Sequence, residues 1–188
     1  MQRTYDRRLP ITHSAARMYE TVTEVEVERR ITSCHETVRE VAAYWRSKCA
    51  DRVMPKRADI DPAELKPYLR SITLVDVVLD ERRFVYRLVG TQEVAGRGVD
   101  PTGQSVRDAY YAESLEAALG CYEYVVRERR PFCLVEPYRA ADDWEEHEDT
   151  VYLPLSEDGA AVTMILVYTY CHDFKPREDW FARRSSST

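Results

Sequence analysis

The run from Ser71 to Gly90, "SITLVDVVLDERRFVYRLVG", leaves the chain few ways to fold. Two stretches rich in β-branched and aromatic residues flank four polar ones, and that pattern reads as a hairpin of two antiparallel strands. In the second stretch Phe84, Tyr86 and Leu88 fall on one face of a regular strand, with Arg83 and Arg87 on the other. Strand texture returns only in the C-terminal third, in "PFCLVEPYR", "DTVYLPL" and "AAVTMILVYTY", the last two separated by the turn "SEDG".

Helical signals occupy the ground between and before. "YAESLEAALGCYEYVVRERR" places Leu115, Ala118, Leu119, Tyr122 and Val126 on one helical face. In "SCHETVREVAAYWRSKCA", Ser33 and Glu36 form a capping-box pattern, and Val38, Val41, Ala42, Trp45 and Cys49 follow helical spacing. Asp61 with Pro62 behind it predicts one further short helix before the first strand. Upstream, "TVTEVEVERRIT" fits a strand through Thr21, Thr23, Val25 and Val27, and equally a helix through Met18, Val22 and Val25. The periodicities therefore describe an α+β domain in the order helix, two strands, loops and helices, three strands. The expected division is an N-terminal extension over 1–32, with a partner-contacting arm as one reading of it, a domain over 33–174 that includes the leading helix, and a loose polar tail over 175–188.

Composition narrows the function classes. A chain of 188 residues, 44% apolar with 13 tyrosines, suffices for one domain with a real core. The net charge of −6 argues against broad nucleic-acid binding, which needs clustered cations facing phosphates. It equally disfavours an anionic membrane surface, and no apolar run approaches the ~20 residues of a spanning helix. "MQRTYDRRLPITHS" lacks the apolar segment of a secretion signal. Five scattered cysteines without a C-x-x-C pair suggest neither a zinc site nor a disulfide framework, so a reducing cytoplasm is the expected location.

Four of the six glycines fall in "YRLVGTQEVAGRGVDPTG", a density that raises the question of phosphate binding. A dinucleotide fingerprint fails because Pro101 stands where the third glycine after Gly96 and Gly98 is required, and no P-loop triplet occurs. "VDPTG" fits a turn instead, with Pro101 second and Gly103 fourth.

Three separated segments, "MPKRADIDPAELKPYLRSITLVDVV", "RFVYRLVGTQEVAGRGVDPTGQSV" and "YLPLSEDGAAVTMIL", resemble in order and texture the signature stretches of small stand-alone bacterial PAS-type proteins. The likeness runs from about Glu36 to Phe174. It implies a five-stranded antiparallel sheet with helices on one face, preceded by an N-terminal helical extension, and a small molecule or a protein partner bound between or beside the layers. It also implies a non-enzymatic sensory or signalling module. With no kinase, cyclase or DNA-binding segment visible in the sequence, output is expected through a signalling protein partner.

The marks of cofactor-bearing PAS domains are missing, so no cofactor is expected. A haem sensor would call for an axial histidine on the long central helix, and Ala112–Arg129 has none. A flavin photosensor carries Asn-Cys-Arg-Phe, whereas Cys121 sits in "LGCYEY" and reads as a small core residue. His13, His35, His147 and His172 have no metal spacing. His147 in "ADDWEEHEDT" admits an acid/base reading, because neighbouring carboxylates raise a histidine pKa, but strand alternation favours a solvated acidic loop. No G-x-S-x-G elbow supports a hydrolase, and Cys133 in "PFCLVE" reads as a buried strand residue.

The remaining candidate site is the cup. Tyr86, Leu88, Val94, Leu115, Leu119, Tyr122, Met164, Leu166 and Tyr168 converge either as plain hydrophobic core or as a ligand pocket. In the second case the tyrosine hydroxyls and Arg97 are its polar handles. Val38, Val41, Ala42 and Trp45 either form a homodimer face or cover the sheet. A hydrolase-like enzyme using the cup, and a ligand-free interaction scaffold, stand as the alternative functions.

Overall fold

The computed structural model describes residues 22–112, 114–135, 137–139 and 145–172. The expected arm up to residue 21 and the tail 175–188 lie outside the described residues, as do 140–144 of the acidic loop.

The first ambiguity resolves as helix. Helix α1 (Glu24–Ser33) starts where the Thr23 hydroxyl accepts the N–H of Glu26 at 3.3 Å. Val27 and Ile31, one turn apart, are buried, while Val25, which strand alternation would pair with Val27, is 78% exposed. The boundary drawn at residue 32 therefore falls inside this helix. Helix α2 (Glu36–Cys49) begins two residues later than the capping-box pattern suggests. Ser33 instead closes α1, donating its hydroxyl to the Arg30 carbonyl, and the His35 ring accepts the N–H of Thr37. Cys34 and His35 adopt extended ψ values of 165° and 149°, which turns the chain between the helices.

Asp61 Oδ1 accepts the N–H of Ala63 at 2.8 Å, as a cap would, yet no α-helix follows. Pro67 disfavours helical geometry at Lys66, and the segment runs on as turns between 3₁₀ stretches at Arg57–Asp59 and Leu69–Ser71.

Strands β1 (Ile72–Val77) and β2 (Phe84–Val89) form the expected hairpin. Across the sheet the order is β2-β1-β6-β5-β3, entirely antiparallel, with β3 (Phe132–Leu134), β5 (Glu145–Leu155) and β6 (Met164–Cys171). The short β4 (Pro137–Arg139) continues along β5 beyond β3, so the two share one strand position. The architecture is thus the five-stranded antiparallel α+β sheet expected of the chain.

Both faces of the sheet are covered. Helices α3 (Thr91–Arg97) and α4 (Leu115–Glu128) lie over the face that carries Thr73, Tyr152 and Val167. Over the other face, lined by Leu74, Leu153 and Leu166, lies α2. Val38, Val41, Ala42 and Trp45 are buried there within this chain's own core, and the Trp45 indole N–H donates to the Pro154 carbonyl at 2.8 Å.

The glycine-rich stretch carries a short helix at its centre. At Gly90, where β2 ends, a Cβ would collide with the backbone carbonyl of Arg70. Helix α3 follows at once and stops at Gly98, whose φ of 72° terminates it. The next turn spans Pro101–Gln104, one residue beyond the predicted one. The Gln104 N–H bonds the Pro101 carbonyl at 2.9 Å, and Gly103 takes the third position with φ 85°. Among the described residues no helix is long and apolar enough to cross a membrane.

Candidate ligand pocket

Between the sheet and the α3–α4 layer lies a cavity of about 60 Å³. Its floor is strand side chains, Thr73, Tyr86, Thr150, Tyr152, Val167 and Thr169, and its roof comes from α3, α4 and the segment between them. Cross-strand pairing explains the floor. Thr73 opposes Val167, which opposes Tyr152, and Thr150 opposes Thr169, so the five share one face. The Thr150 and Thr169 hydroxyls hydrogen-bond each other at 3.2 Å and are buried.

Arg97, the last residue of α3, reaches into this cavity. Its guanidinium lies 5.1 Å from the centre of the Tyr86 ring and 5.2 Å from that of Tyr111, a cation held between two aromatic faces. Nη1 donates to the Tyr86 hydroxyl at 3.3 Å and to the Ala109 carbonyl at 3.4 Å. Nε is buried and, among the described residues, has no hydrogen-bond partner. Burial works against the charge, but Tyr86 and Glu93 more than offset it, so the Arg97 pKa stands above that of an ordinary arginine. Burial, above all, pushes the Tyr122 phenol well above its usual value, and it stays neutral. Glu93, one turn before Arg97 on the same helix, also lines the cavity, and Glu148 does so from β5.

Of the residues proposed from sequence, Tyr86, Arg97 and Tyr122 line the cavity. The others do not. Leu88 is 46% exposed on the opposite face from Tyr86. The reason is a bulge: Leu74 pairs with Leu88 but Val75 pairs with Tyr86, so Arg87 is skipped and the alternation reverses. Met164, Leu166 and Tyr168 face α2, and the Tyr168 ring meets Tyr68 edge-on at 5.7 Å. Val94 is buried in the general core, and Leu115 and Leu119 are half-buried on α4 beside the cavity lining.

The acidic run divides by alternation. Glu148 lines the cavity, while buried Asp149, on the other face, accepts the N–H of His35 at 2.6 Å and lies 3.3 Å from His172 Nε2. His147 sits on β5 opposite Pro137, and its side chain lies outside the described residues. Among the described residues no cluster of metal-ligating side chains occurs.

A family model described as PAS domain matches residues 33–167. No curated protein matches the chain by sequence. Among solved structures, a light-oxygen-voltage domain studied with a flavin analogue is similar at 12% identity, covering 66% of this chain and 92% of its own, with a TM-score of 0.45. The Rhodobacter sphaeroides LOV protein is similar at 17% identity, covering 60% of this chain and 69% of its own, with a TM-score of 0.42. The PAS domain of Bordetella pertussis BvgS is similar at 12% identity, covering 67% and 96%, with a TM-score of 0.37.

Proposed function

The chain belongs to the PAS domain family, and we propose that it is a non-enzymatic sensory module whose cup receives a small polar molecule presenting a hydrogen-bond acceptor to Arg97. The observation that carries this reading is the buried Nε of Arg97 at the cavity wall, which has no hydrogen-bond partner among the described residues. A buried donor left unpaired costs about 1–3 kcal/mol, more when it belongs to a charged group. An incoming carboxylate or carbonyl oxygen relieves that cost, and the threonine and tyrosine hydroxyls around it supply further orienting contacts. At about 60 Å³ the cavity is well below the roughly 300–1,000 Å³ of cofactor and drug-sized pockets, so the occupant is a molecule of few heavy atoms.

Binding rather than chemistry is the role this arrangement suits. The change is passed to a signalling partner through α1 and α2, which cover the opposite face of the same sheet.

Native mass spectrometry of gently purified protein tests the reading. The expected result is a small extra mass that disappears on denaturation and is missing from an Arg97→Met variant whose melting curve remains cooperative. An unliganded mass, together with no thermal stabilisation by a panel of small carboxylates and amides, sinks it.

A further inference from the structure

Cys34 and Cys133 are 99 residues apart in the chain, yet their Sγ atoms lie 3.0 Å from each other. Both side chains are buried, at 1% and 0% exposure. Neither sits on a wandering loop. Cys34 caps α1, with its N–H bonded to the Arg30 and Ile31 carbonyls and its thiol near the Arg30 carbonyl at 3.2 Å. Cys133 is the middle residue of β3 and pairs with Val151. The backbone thus holds two reduced sulfurs facing each other, and a disulfide at ~2.05 Å needs them to close by only about 1 Å.

We propose that Cys34 and Cys133 form an oxidation site, at which a hydroperoxide converts the pair to an intrachain disulfide that fastens the α1–α2 junction to β3. In the first step the Cys34 sulfur attacks hydrogen peroxide. An S–O bond forms, the O–O bond breaks, the sulfur is oxidised to a sulfenic acid, and one water leaves. In the second, Cys133 attacks that sulfur. The S–S bond forms, the S–O bond breaks, and the oxygen departs as a second water carrying the remaining thiol proton. The order follows from position, because Cys34 closes α1 and is uncovered first when that helix opens, whereas Cys133 stays within β3.

Access comes through α1. That helix buries only Val27 and Ile31 among its ten residues, a thin seam that opens locally more readily than the sheet beneath. Once formed, the bond closes a loop of about 100 residues, which constrains the unfolded chain strongly and raises the melting temperature by roughly 5–15 °C.

The test treats the full, reduced, folded chain with hydrogen peroxide, blocks remaining thiols, and maps peptides without reduction. The expected product is two hydrogen masses lighter, with the Cys34 and Cys133 peptides joined. Cys171→Ser leaves that link intact and Cys34→Ser removes it. If Cys34→Ser does not fold, the wild-type map alone decides. Cys34 and Cys133 both recovered as blocked thiols, either one joined to another cysteine, or a link that forms only in denaturant would each overturn the proposal.

Discussion

Trp45 decides whether the apolar face of α2 belongs to this chain's core or to a second subunit. Its ring is 4% exposed and its indole N–H donates to the Pro154 carbonyl of β5. In Trp45→Phe the smaller ring gives up the burial of three heavy atoms, two of them carbon, about 1–2 kcal/mol. The lost donor leaves a carbonyl in the covered interface without its partner, about 1–3 kcal/mol. The sum, about 2–5 kcal/mol, lowers the melting temperature of a domain this size by roughly 5–20 °C. Circular dichroism melts at low and high protein concentration measure it. Because the contact is within one chain, the loss is the same at both concentrations, whereas a dimer contact makes it concentration-dependent. A variant that melts within a degree or two of the parent, or whose deficit disappears at high concentration, refutes the packing argument.

Other perturbations probe the rest of the frame. Gly90→Ala forces a Cβ into the Arg70 carbonyl and the adjoining backbone, which cannot give as a side-chain tip would, and is expected to cost about 3 kcal/mol or more in denaturant unfolding. Val167→Ile directs a methylene into the cavity and is expected to change stability by less than about 1 kcal/mol. Val151→Ile places the same group in the packed opposite face and is expected to cost about 1–3 kcal/mol; equal costs would mean that the cavity does not exist. The Tyr68 phenol, hydrogen-bonded to Glu40 at 2.6 Å, has its pKa raised from an ordinary 10.0 to about 12, chiefly by that bond. A raised folded-state value means that the contribution is whole below pH 10 and is lost as pH rises toward 12. Alkaline titration of unfolding should show this loss in the parent and a shallower one in Tyr68→Phe.

How much of this was legible in the sequence depended on whether a local pattern had one physical cause or two. The β1–β2 hairpin and α4 were readable because the β-branched and aromatic runs of the one and the helical period of the other each admit a single type of element. Strand β6, "MILVYTYC", was readable as a strand but not as to which side faces the cup. With α2 on one face and α4 on the other, both sets of alternate residues are apolar, and the period-two signal that would assign Leu166 and Tyr168 to one side disappears. The threonines carried the missing information. Thr73 and Thr169 interrupt apolar strand runs and Thr150 borders one, and all three line the cavity. Leu88 was misplaced for a different reason, since a bulge is a property of the pairing between two strands and not of either alone. The capping box failed because the same Ser-x-x-Glu spacing is satisfied when serine closes one helix and glutamate opens the next, with His35 doing the capping between them. Arg97 was legible as a polar handle but its unpartnered Nε was not, because that depends on Tyr86, Tyr111 and the Ala109 carbonyl converging on one guanidinium from three separate segments. What sequence pattern conveys is which faces are apolar. What it cannot convey is where two such faces meet imperfectly, and in this chain the cavity lies where they do.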